Sequence, residues 1–301
     1  MRTSANTFLD KIRLLIIPPL LLMTLGTVFP QMRIFAMTQN TTAYELALAA
    51  IDNDDVATFK TQMLSASDWI YTDVEKMKKL TYQVLNTPLS NMGSAPMFEH
   101  LLAHGALDIL EGDFVYYVSS IGRPWALEML IEKHGQSPDG DGSTPNSPIT
   151  EALTWGNLEI ARYLKEKGAA LNKLQIISGL GLTKECEDFF DASGKLKPEF
   201  LITEVYKPSG QPVTSAQVLG ESFSLACRNK QFETAEYLLA RGADINYYFL
   251  FFDNCTPLHA VAEWGDLESV VWLVEHGADV HAKDKMHCAY PLGWAKHGNK
   301  K

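Results

Sequence analysis

The apolar and polar positions between residues 256 and 277 predict two short helices joined by a tight turn. Thr256 and Pro257 are typical of a helix start, because threonine caps free amides and proline lacks the amide that would otherwise stay unpaired. Gly265 follows the first helix and allows the chain to reverse. Such a pair cannot bury its own apolar face, so further copies are expected to stack on it.

The second helix of this pair carries an apolar face, because Val270, Leu273 and Val274 recur at i, i+3 and i+4. Gly277 closes the helix in the left-handed conformation that glycine tolerates. A turn residue followed by helically spaced apolar positions recurs from residue 43 onward, which predicts a series of helix pairs. The predicted turn residues are Asp54, Gly93, Gly122, Gly156, Gly181, Lys230 and Gly265.

The segment Thr256-Pro257-Leu258-His259-Ala260 resembles the opening of the ankyrin repeat, T-P-L-H-x-A, whose period is about 33 residues. The opening returns as Tyr290-Pro291-Leu292 at nearly that interval. The resemblance implies an all-α ankyrin-repeat solenoid of about seven helix-turn-helix repeats plus a terminal half-repeat, with β-hairpin-like finger loops. It also implies that His259 bonds neighbouring loops, and that the structural motif residues are Thr256, Pro257, Leu258, His259, Gly265 and Gly277.

The predicted repeat domain spans residues 43–301, with an insertion rich in proline and serine at 195–219. Residues 1–36 do not follow the repeat pattern. They contain an uncharged stretch at 14–32, which follows basic residues and approaches the roughly 20 residues that span a bilayer. This pattern predicts a signal peptide or a single membrane anchor, and hence an exported or membrane-anchored protein. A start at Met37 would instead leave a cytoplasmic protein.

Composition narrows the classes of partner. The formal net charge of −10 argues against nucleic acid, which needs clustered lysine and arginine, and favours a basic or neutral protein partner. The cysteines show no C-x-x-C spacing. Because Cys186 and Cys227 occupy positions that should face the core, we expect buried thiols rather than a disulfide framework.

Three segments resemble known sites but have simpler explanations. His100 and His104 have a zinc-ligand spacing, without the order H-E-x-x-H. Residues 139–143 begin like a calcium loop, but glycine and glutamate are missing at its later positions. Residues 179–184 lack the spacing of a phosphate loop. We therefore predict no metal, no cofactor, no small-molecule substrate and no catalytic residue; an enzyme built from residues scattered over several repeats is the alternative.

A run of large apolar residues fills the finger that precedes Thr256, where the ankyrin family usually has polar residues. Strand alternation would turn about three of them outward, and an exposed aromatic cluster usually marks an interaction site. The alternative is that the finger folds onto the insertion at 195–219 and forms a small secondary core. The candidate partner-binding residues of this finger are Tyr247, Tyr248, Phe249, Phe251 and Phe252.

Trp155 and Trp264 occupy the same repeat position, each just before the glycine that ends a first helix. In ankyrin-repeat proteins the finger tips and first-helix ends line a concave binding face. The resemblance therefore implies that this face includes Thr154, Trp155, Arg228, Glu263 and Trp264. The alternative for the two tryptophans is stacking against a neighbouring repeat.

These patterns predict a non-catalytic protein–protein interaction module, an ankyrin scaffold or adaptor that presents its concave face and finger loops to a partner. A rigid surface of this kind loses little entropy on docking. An inhibitory or immunity-type protein, which sequesters one specific enzyme or effector, is the alternative. The two functions differ in that a sequestering protein should bind one partner tightly.

Overall fold

The computed structural model describes residues 43–65, 73–88, 93–109, 113–144, 146–201, 213–249 and 254–298. The predicted hydrophobic segment at 1–36 lies outside these residues and stays a prediction. None of the helices in the described ranges is long and apolar enough to cross a membrane. The chain divides into two compact units, residues 1–111 and residues 112–301.

The first unit consists of short helices whose apolar faces meet in one core. The helices are α1 (43–52), α2 (Val56–Ser65), α3 (Val74–Asn86), α4 (Ser94–Ala103) and α5 (Ala106–Ile109). Asp73 caps α3 by accepting a hydrogen bond from the amide of Lys76 at 3.1 Å, as expected for an aspartate at this position. Phe59, Leu80 and Phe98 are fully buried, so α2, α3 and α4 all contribute to this core.

The second unit continues the pattern of paired helices. Its helices are α6 (Phe114–Ile121), α7 (Pro124–Glu128, continued by a π-helical turn at Met129–Lys133), α8 (Pro148–Thr154), α9 (Leu158–Glu166), α10 (Leu174–Gly179), α11 (Ser215–Arg228), α12 (Phe232–Leu239), α13 (Pro257–Glu263), α14 (Leu267–Glu275) and α15 (Pro291–Gly298), with 3-10 turns at Glu185–Phe189 and Pro198–Phe200. Across both units the regular structure of the described residues is helical, which confirms the predicted all-α class.

The turns between paired helices follow the predicted positions closely. Every predicted turn residue except Gly93 has a positive φ, including the non-glycine residues Asp54 (57°) and Lys230 (58°). Gly93 has a φ of −77° and instead donates its amide to the Asp54 carboxylate at 2.6 Å. Because few residues other than glycine tolerate positive φ, these turns leave a clear pattern in the sequence.

Side-chain hydrogen bonds hold neighbouring fingers together. The Asp139 carboxylate accepts from the amide of Ala170, and the Asn246 side chain accepts from the amide of Asp279, each at 2.8 Å. Thr256 is the N-cap of α13, and the His259 side chain completes a capping box with it. The fingers are therefore fixed at their bases by bonds that do not depend on strand pairing.

The second unit departs from the predicted pattern at one pair. After Gly181 the expected second helix is only the 3-10 turn at Glu185–Phe189. The next first helix, α11, begins at Ser215, inside the segment predicted as an insertion, whose residues 202–212 lie outside the described ranges. A capping box at Thr214 explains this start, because both the threonine and Gln217 satisfy helix-end amides. The pair that starts with α10 is therefore shorter than its neighbours.

The thiol prediction is confirmed. Cys186, Cys227 and Cys255 are free and buried, while Cys288 is free and exposed. Burial raises the pKa of Cys186 to about 11, since a thiolate in an apolar core loses its hydration. The buried thiols act as small apolar side chains in the core of the second unit.

Candidate functional site

Three first-helix ends converge at one place in the second unit. Trp155 is the C-cap of α8, Arg228 is the last residue of α11, and Trp264 is the C-cap of α13. The two indole rings meet edge to face, with centroids 6.5 Å apart. The Arg228 guanidinium carbon lies 3.4 Å from the centroid of the Trp264 ring, and its Nη2 donates to the Trp155 carbonyl at 2.8 Å.

Close approach of α8, α10 and α11 makes this convergence geometrically feasible. A Cβ atom on Gly179 would lie 2.9 Å from Cδ1 of Leu153, so glycine lets α10 approach α8 closely. The Asn229 side chain then donates to the carbonyls of Leu153 and Leu225, each at 2.8 Å. These bonds tie the end of α11 to the end of α8 across the short pair that begins with α10.

Gly156 leaves room for the guanidinium group of Arg228. Its φ is 75°, and a Cβ atom there would lie 2.8 Å from the guanidinium carbon of Arg228. The guanidinium therefore lies between the backbone of Gly156 and the ring of Trp264. The same glycine that reverses the chain after α8 also makes room for the arginine.

Arg228 is a largely buried cation. Burial lowers its pKa to about 10, an effect that nearby Asp266 opposes. Among the described residues Arg228 forms no ion pair, because the Asp266 carboxylate pairs with Lys230 instead, at 3.1 Å. Lys230 also pairs with Glu268 at 3.1 Å. Stacking on an aromatic face compensates part of the cost of burying a guanidinium, since the ring face is electron-rich.

An open groove of about 500 Å³ lies against this cluster. It lies at the turns between first and second helices, at the opposite helix ends from the fingers. Trp155 is 41% exposed and Leu267 is 72% exposed beside it, so the surface offers apolar contact as well as charge. The groove is lined by Gly156, Leu158, Arg228, Asn229, Lys230, Trp264, Gly265, Asp266, Leu267 and Glu268.

The other two residues predicted for the concave face are placed differently. Thr154 is only 3% exposed, because its position on α8 faces the core, and it therefore does not belong to this surface. Glu263 lies beneath α15, where its carboxylate is 3.3 Å from Nδ1 of His297. A Cβ atom on Gly298 would overlap the Glu263 carbonyl, so α15 lies directly against this part of α13.

The described part of the aromatic finger turns inward. Phe249 is buried, and its amide donates to the Cys255 carbonyl at 2.8 Å. Tyr247 packs on α11, where a Cβ atom on Gly220 would lie 2.2 Å from the tyrosine ring. The Tyr248 hydroxyl donates to the Lys283 carbonyl at 3.0 Å, on the next finger.

The expected outward alternation is therefore not found among these three residues, none of which is exposed. Burial raises the pKa of Tyr247 to about 12, and the carboxylate of Glu221 adds to the shift. The described contacts of the two tyrosines are with Gly220 of α11 and with the next finger. Phe251 and Phe252 lie outside the described residues, so their part in binding stays a prediction.

His259 lies inside the structure, away from any groove. It is fully buried, with Nδ1 at 2.7 Å from the Thr256 hydroxyl and Nε2 at 3.1 Å from the Ala289 carbonyl. These partners correspond to a neutral ring that donates from Nε2 and accepts at Nδ1. Burial also lowers its pKa. The ring joins the start of α13 to the loop that precedes α15.

Asp284 is a structural residue that the sequence analysis missed. It is buried, and its carboxylate accepts from the amides of Met286 and Ala289 at 3.0 and 2.9 Å and from the Trp294 indole at 3.0 Å. Burial raises its pKa, but the hydrogen bonds, beginning with the amide of His287, lower it to about 2. Its position in a polar loop gives little sign of its burial, since the residue that covers and bonds it from outside the loop, Trp294, lies on α15.

The segments that resembled metal sites serve the fold. No group of three metal-ligating side chains occurs within the described ranges. Nδ1 of His104 lies 2.7 Å from the carbonyl of His100, as in a helix-end hydrogen bond. The Asp141 amide donates to the carboxylate of Asp113 at 3.1 Å, which fixes the turn at 139–143 against α6.

The comparisons with known proteins agree with this architecture. Residues 220–284 match the family model described as ankyrin repeats (3 copies). The chain is also similar to the ankyrin repeat and KH domain-containing protein mask-1 of Caenorhabditis elegans, with 24% identity over 194 residues. The similarity covers 58% of this chain but 7% of that protein, so the chain spans a small part of the relative's length.

Paired helices, left-handed turns and a capped T-P-L-H segment define a helical repeat protein of the protein-binding class. Residues 220–284 are matched by the ankyrin-repeat model, and the chain is similar to a much longer ankyrin-repeat protein. Ankyrin repeats are protein–protein interaction modules, and the family is generally non-catalytic.

Proposed function

We propose that this protein is a non-catalytic scaffold or adaptor that binds a partner protein at the groove beside Trp155, Arg228 and Trp264. The observation that carries the proposal is the convergence of these three side chains, from three different helix pairs, beside an open groove. Tryptophan and arginine are enriched among the residues that dominate binding energy at interfaces. Because Arg228 is already fixed by stacking and hydrogen bonding, little side-chain entropy is lost on binding.

The chemistry of the groove indicates how a partner would bind. An apolar side chain of the partner would pack against Leu267, which lines the groove, and would extend toward Trp155; both side chains are exposed. Lys230, Asp266 and Glu268 form a charged rim that can bond polar groups around that contact. The net charge of −10 favours a basic or neutral partner, since like charges slow association.

The architecture of the binding module follows from the same pattern. We infer a repeat domain over residues 43–301 with seven helix pairs and the single helix α15 as a half-repeat. The order of left-handed turns and apolar positions along the sequence supports this count. Phe251 and Phe252, in the finger before Thr256, would supply a second contact to the partner.

Affinity capture tests the proposed site. The full-length protein, the Trp155→Ala variant and the Met286→Ala variant would each be used to recover partners from the protein's own cells. Met286 is a matched control because it is exposed and apolar but lies in a finger away from the groove. We expect Trp155→Ala to lose a partner that both other proteins retain, with melting temperatures showing that all three are folded. Recovery of the same proteins by all three would refute the groove as the binding site.

A further inference from the structure

Helix α14 presents an apolar stripe to solvent. Leu267, Val271 and Val274 are 72%, 45% and 43% exposed, and their spacing of i, i+4 and i+7 places them in one line. The buried face of α14 is a different one, since Leu273 is fully buried and Trp272 stacks on Phe232 with ring centroids 5.2 Å apart. The stripe is thus an additional apolar face, not the side that stacks within the protein.

Two complete second helices that precede α14 in the same unit, α9 and α12, expose polar residues instead. On α9 the outward positions include Glu159, Arg162 and Glu166, and on α12 they include Glu233 and Glu236. Since a solvent-facing helix surface is normally polar, three aligned aliphatic side chains on α14 need a separate explanation. An exposed apolar surface of this kind commonly marks a site of interaction.

Charge around the stripe is negative at both ends. Glu275 follows Val274, is exposed, and has no ion-pair partner among the residues that the structure describes. The C-terminal end of α14 adds the partial negative charge of its free carbonyls. At the other end, the single positive charge of Lys230 pairs with the two carboxylates of Asp266 and Glu268, so this end also carries a net negative charge. A partner would therefore meet an apolar line that is acidic at both ends.

We propose that this stripe binds an amphipathic helix of another protein, whose apolar residues have matching spacing and whose basic residues lie beside Glu275. A helical ligand fits because ridges of residues four apart pack into the grooves of a facing helix. The stripe, from Leu267 to Val274, is about 10 Å long at 1.5 Å per residue, which matches two helical turns. This surface is distinct from the groove, although Leu267 borders both.

Two other occupants fit the charge less well. In a second copy of this chain, packing α14 against α14 would bring acidic ends and flanks together, because each copy carries Glu268 and Glu275. An anionic lipid surface would repel the same residues, whereas it attracts basic segments. Charge complementarity thus favours a basic helix.

The test is selection from a displayed library of helical peptides against the full-length protein. We expect enriched peptides with apolar residues at i, i+3 or i+4 and i+7, flanked by lysine or arginine. One enriched peptide, made synthetically, should bind Val271→Glu at least about tenfold more weakly than the unmodified protein, since a charge would enter the centre of the stripe. Val280→Glu is the matched control, because Val280 is equally exposed (43%) but lies beyond α14, and it should bind normally.

Exchanging the charges of Glu275 and of the peptide's lysines tests whether these groups contact each other. Glu275→Lys should weaken the lysine-containing peptide about threefold, and replacing the peptide's lysines with glutamate should restore binding to this variant alone. Trp155→Ala should bind the peptide normally, so failure of the groove proposal and failure of this one are distinguishable. Melting curves of all variants would confirm that they are folded.

Several results would overturn the proposal. They are the absence of any enriched peptide, equal binding by Val271→Glu, and enriched peptides without basic residues. A dimer of the unmodified protein that Val271→Glu converts to a monomer would assign the stripe to a second copy. Binding to vesicles of phosphatidylserine and phosphatidylcholine that Val271→Glu abolishes would assign it to a lipid surface.

Discussion

The helix pair α13–α14 and the pair that begins with α10 both turn at a left-handed glycine, yet they differ in everything that follows. After Gly265 the chain forms the complete helix α14, whereas after Gly181 it forms one 3-10 turn. The first pair starts with a capping box at Thr256, while Lys173, the N-cap of α10, makes no side-chain cap hydrogen bond. The regular pair resembles its family closely, and the irregular pair departs from it.

The site depends on both kinds of pair. Gly179 lets α10 approach α8 closely, and Asn229 at the end of α11 then bonds directly to α8. Arg228 can then contact Trp155 on one side and Trp264 of the regular pair on the other. Regular repeats thus supply the framework, and one local departure brings together residues from pairs that would otherwise be separated.

The largest expected effect is a loss of stability, and it distinguishes the buried face of α14 in the regular pair from its exposed face. Leu273→Ala should lower the free energy of unfolding by about 2–5 kcal/mol, because it removes a fully buried side chain and leaves a cavity. Val274→Ala, one residue further on, should cost less than about 0.5 kcal/mol, because that side chain is on the exposed stripe. Urea denaturation measures both values, and similar losses would mean that the stripe is packed.

The framework can be predicted from the sequence because its determinants are local. A left-handed turn, a proline in a first helical turn and an apolar spacing are each decided within a few residues, so Gly265, Pro257 and Leu273 can be identified directly. The same spacing predicts Val274 on the buried face, but the helix is rotated so that this side chain faces solvent. Periodicity fixes a face only to within about one residue.

The site can be predicted only in part, because it depends on contacts between distant segments. Repeat positions identify Trp155, Arg228 and Trp264, but their mutual contact depends on the short pair between α8 and α11. The inward position of Tyr247 depends on Gly220, a helical glycine with no local role in the sequence pattern. The burial of Thr154 likewise depends on the helices that pack over α8.

Substituting two glycines, one beside Arg228 and one in open space, tests whether Arg228 lies against the turn after α8. Gly156→Ala should lower the free energy of unfolding by about 2–4 kcal/mol, because alanine is strained at positive φ and its Cβ would displace Arg228. Gly168→Ala is the matched control: its φ is 93°, but no atom lies within 4 Å of the added Cβ. It should cost only the backbone strain of about 1–2 kcal/mol. Equal losses by chemical denaturation would show that Arg228 does not lie against the backbone of Gly156.

A more conservative change isolates the arginine itself. Arg228→Lys should lower the free energy of unfolding by about 1–2 kcal/mol, since lysine loses the planar stacking on Trp264 and the geometry of the bond to the Trp155 carbonyl. Tryptophan emission should also change, because Trp264 loses the planar guanidinium that stacks on its ring. Arg241→Lys is the control, as Arg241 stacks on Tyr237 at 3.5 Å and should leave that emission unchanged. Identical spectra for the two variants would argue against the Trp155–Arg228–Trp264 cluster.

The smallest expected effect is on how the stability of the protein depends on pH, through His259 in the regular pair. Burial lowers the pKa of His259 in the folded protein, so below a pH of about 6.5 the unfolded chain binds more protons at this residue. The stabilising contribution of the neutral ring is therefore complete above that pH and decreases as the pH falls toward the lowered pKa. Urea midpoints at about pH 7.5 and pH 5.5 should differ less for His259→Gln than for the unmodified protein.

Two other titratable groups with shifted pKa values, His100 and Asp284, do not disturb the comparison between these two pH values. His100 has a pKa lowered to about 4 by burial, with His104 and Lys60 adding to the shift, and it contributes equally in both proteins. The pKa of Asp284 is about 2, so its stabilising effect is present above the ordinary aspartate pKa and is lost only as the pH falls below it, outside the window. The difference between the two proteins therefore reports His259 alone. An unchanged pH dependence in His259→Gln would mean that folding does not alter the pKa of this ring, contrary to its burial as a neutral group.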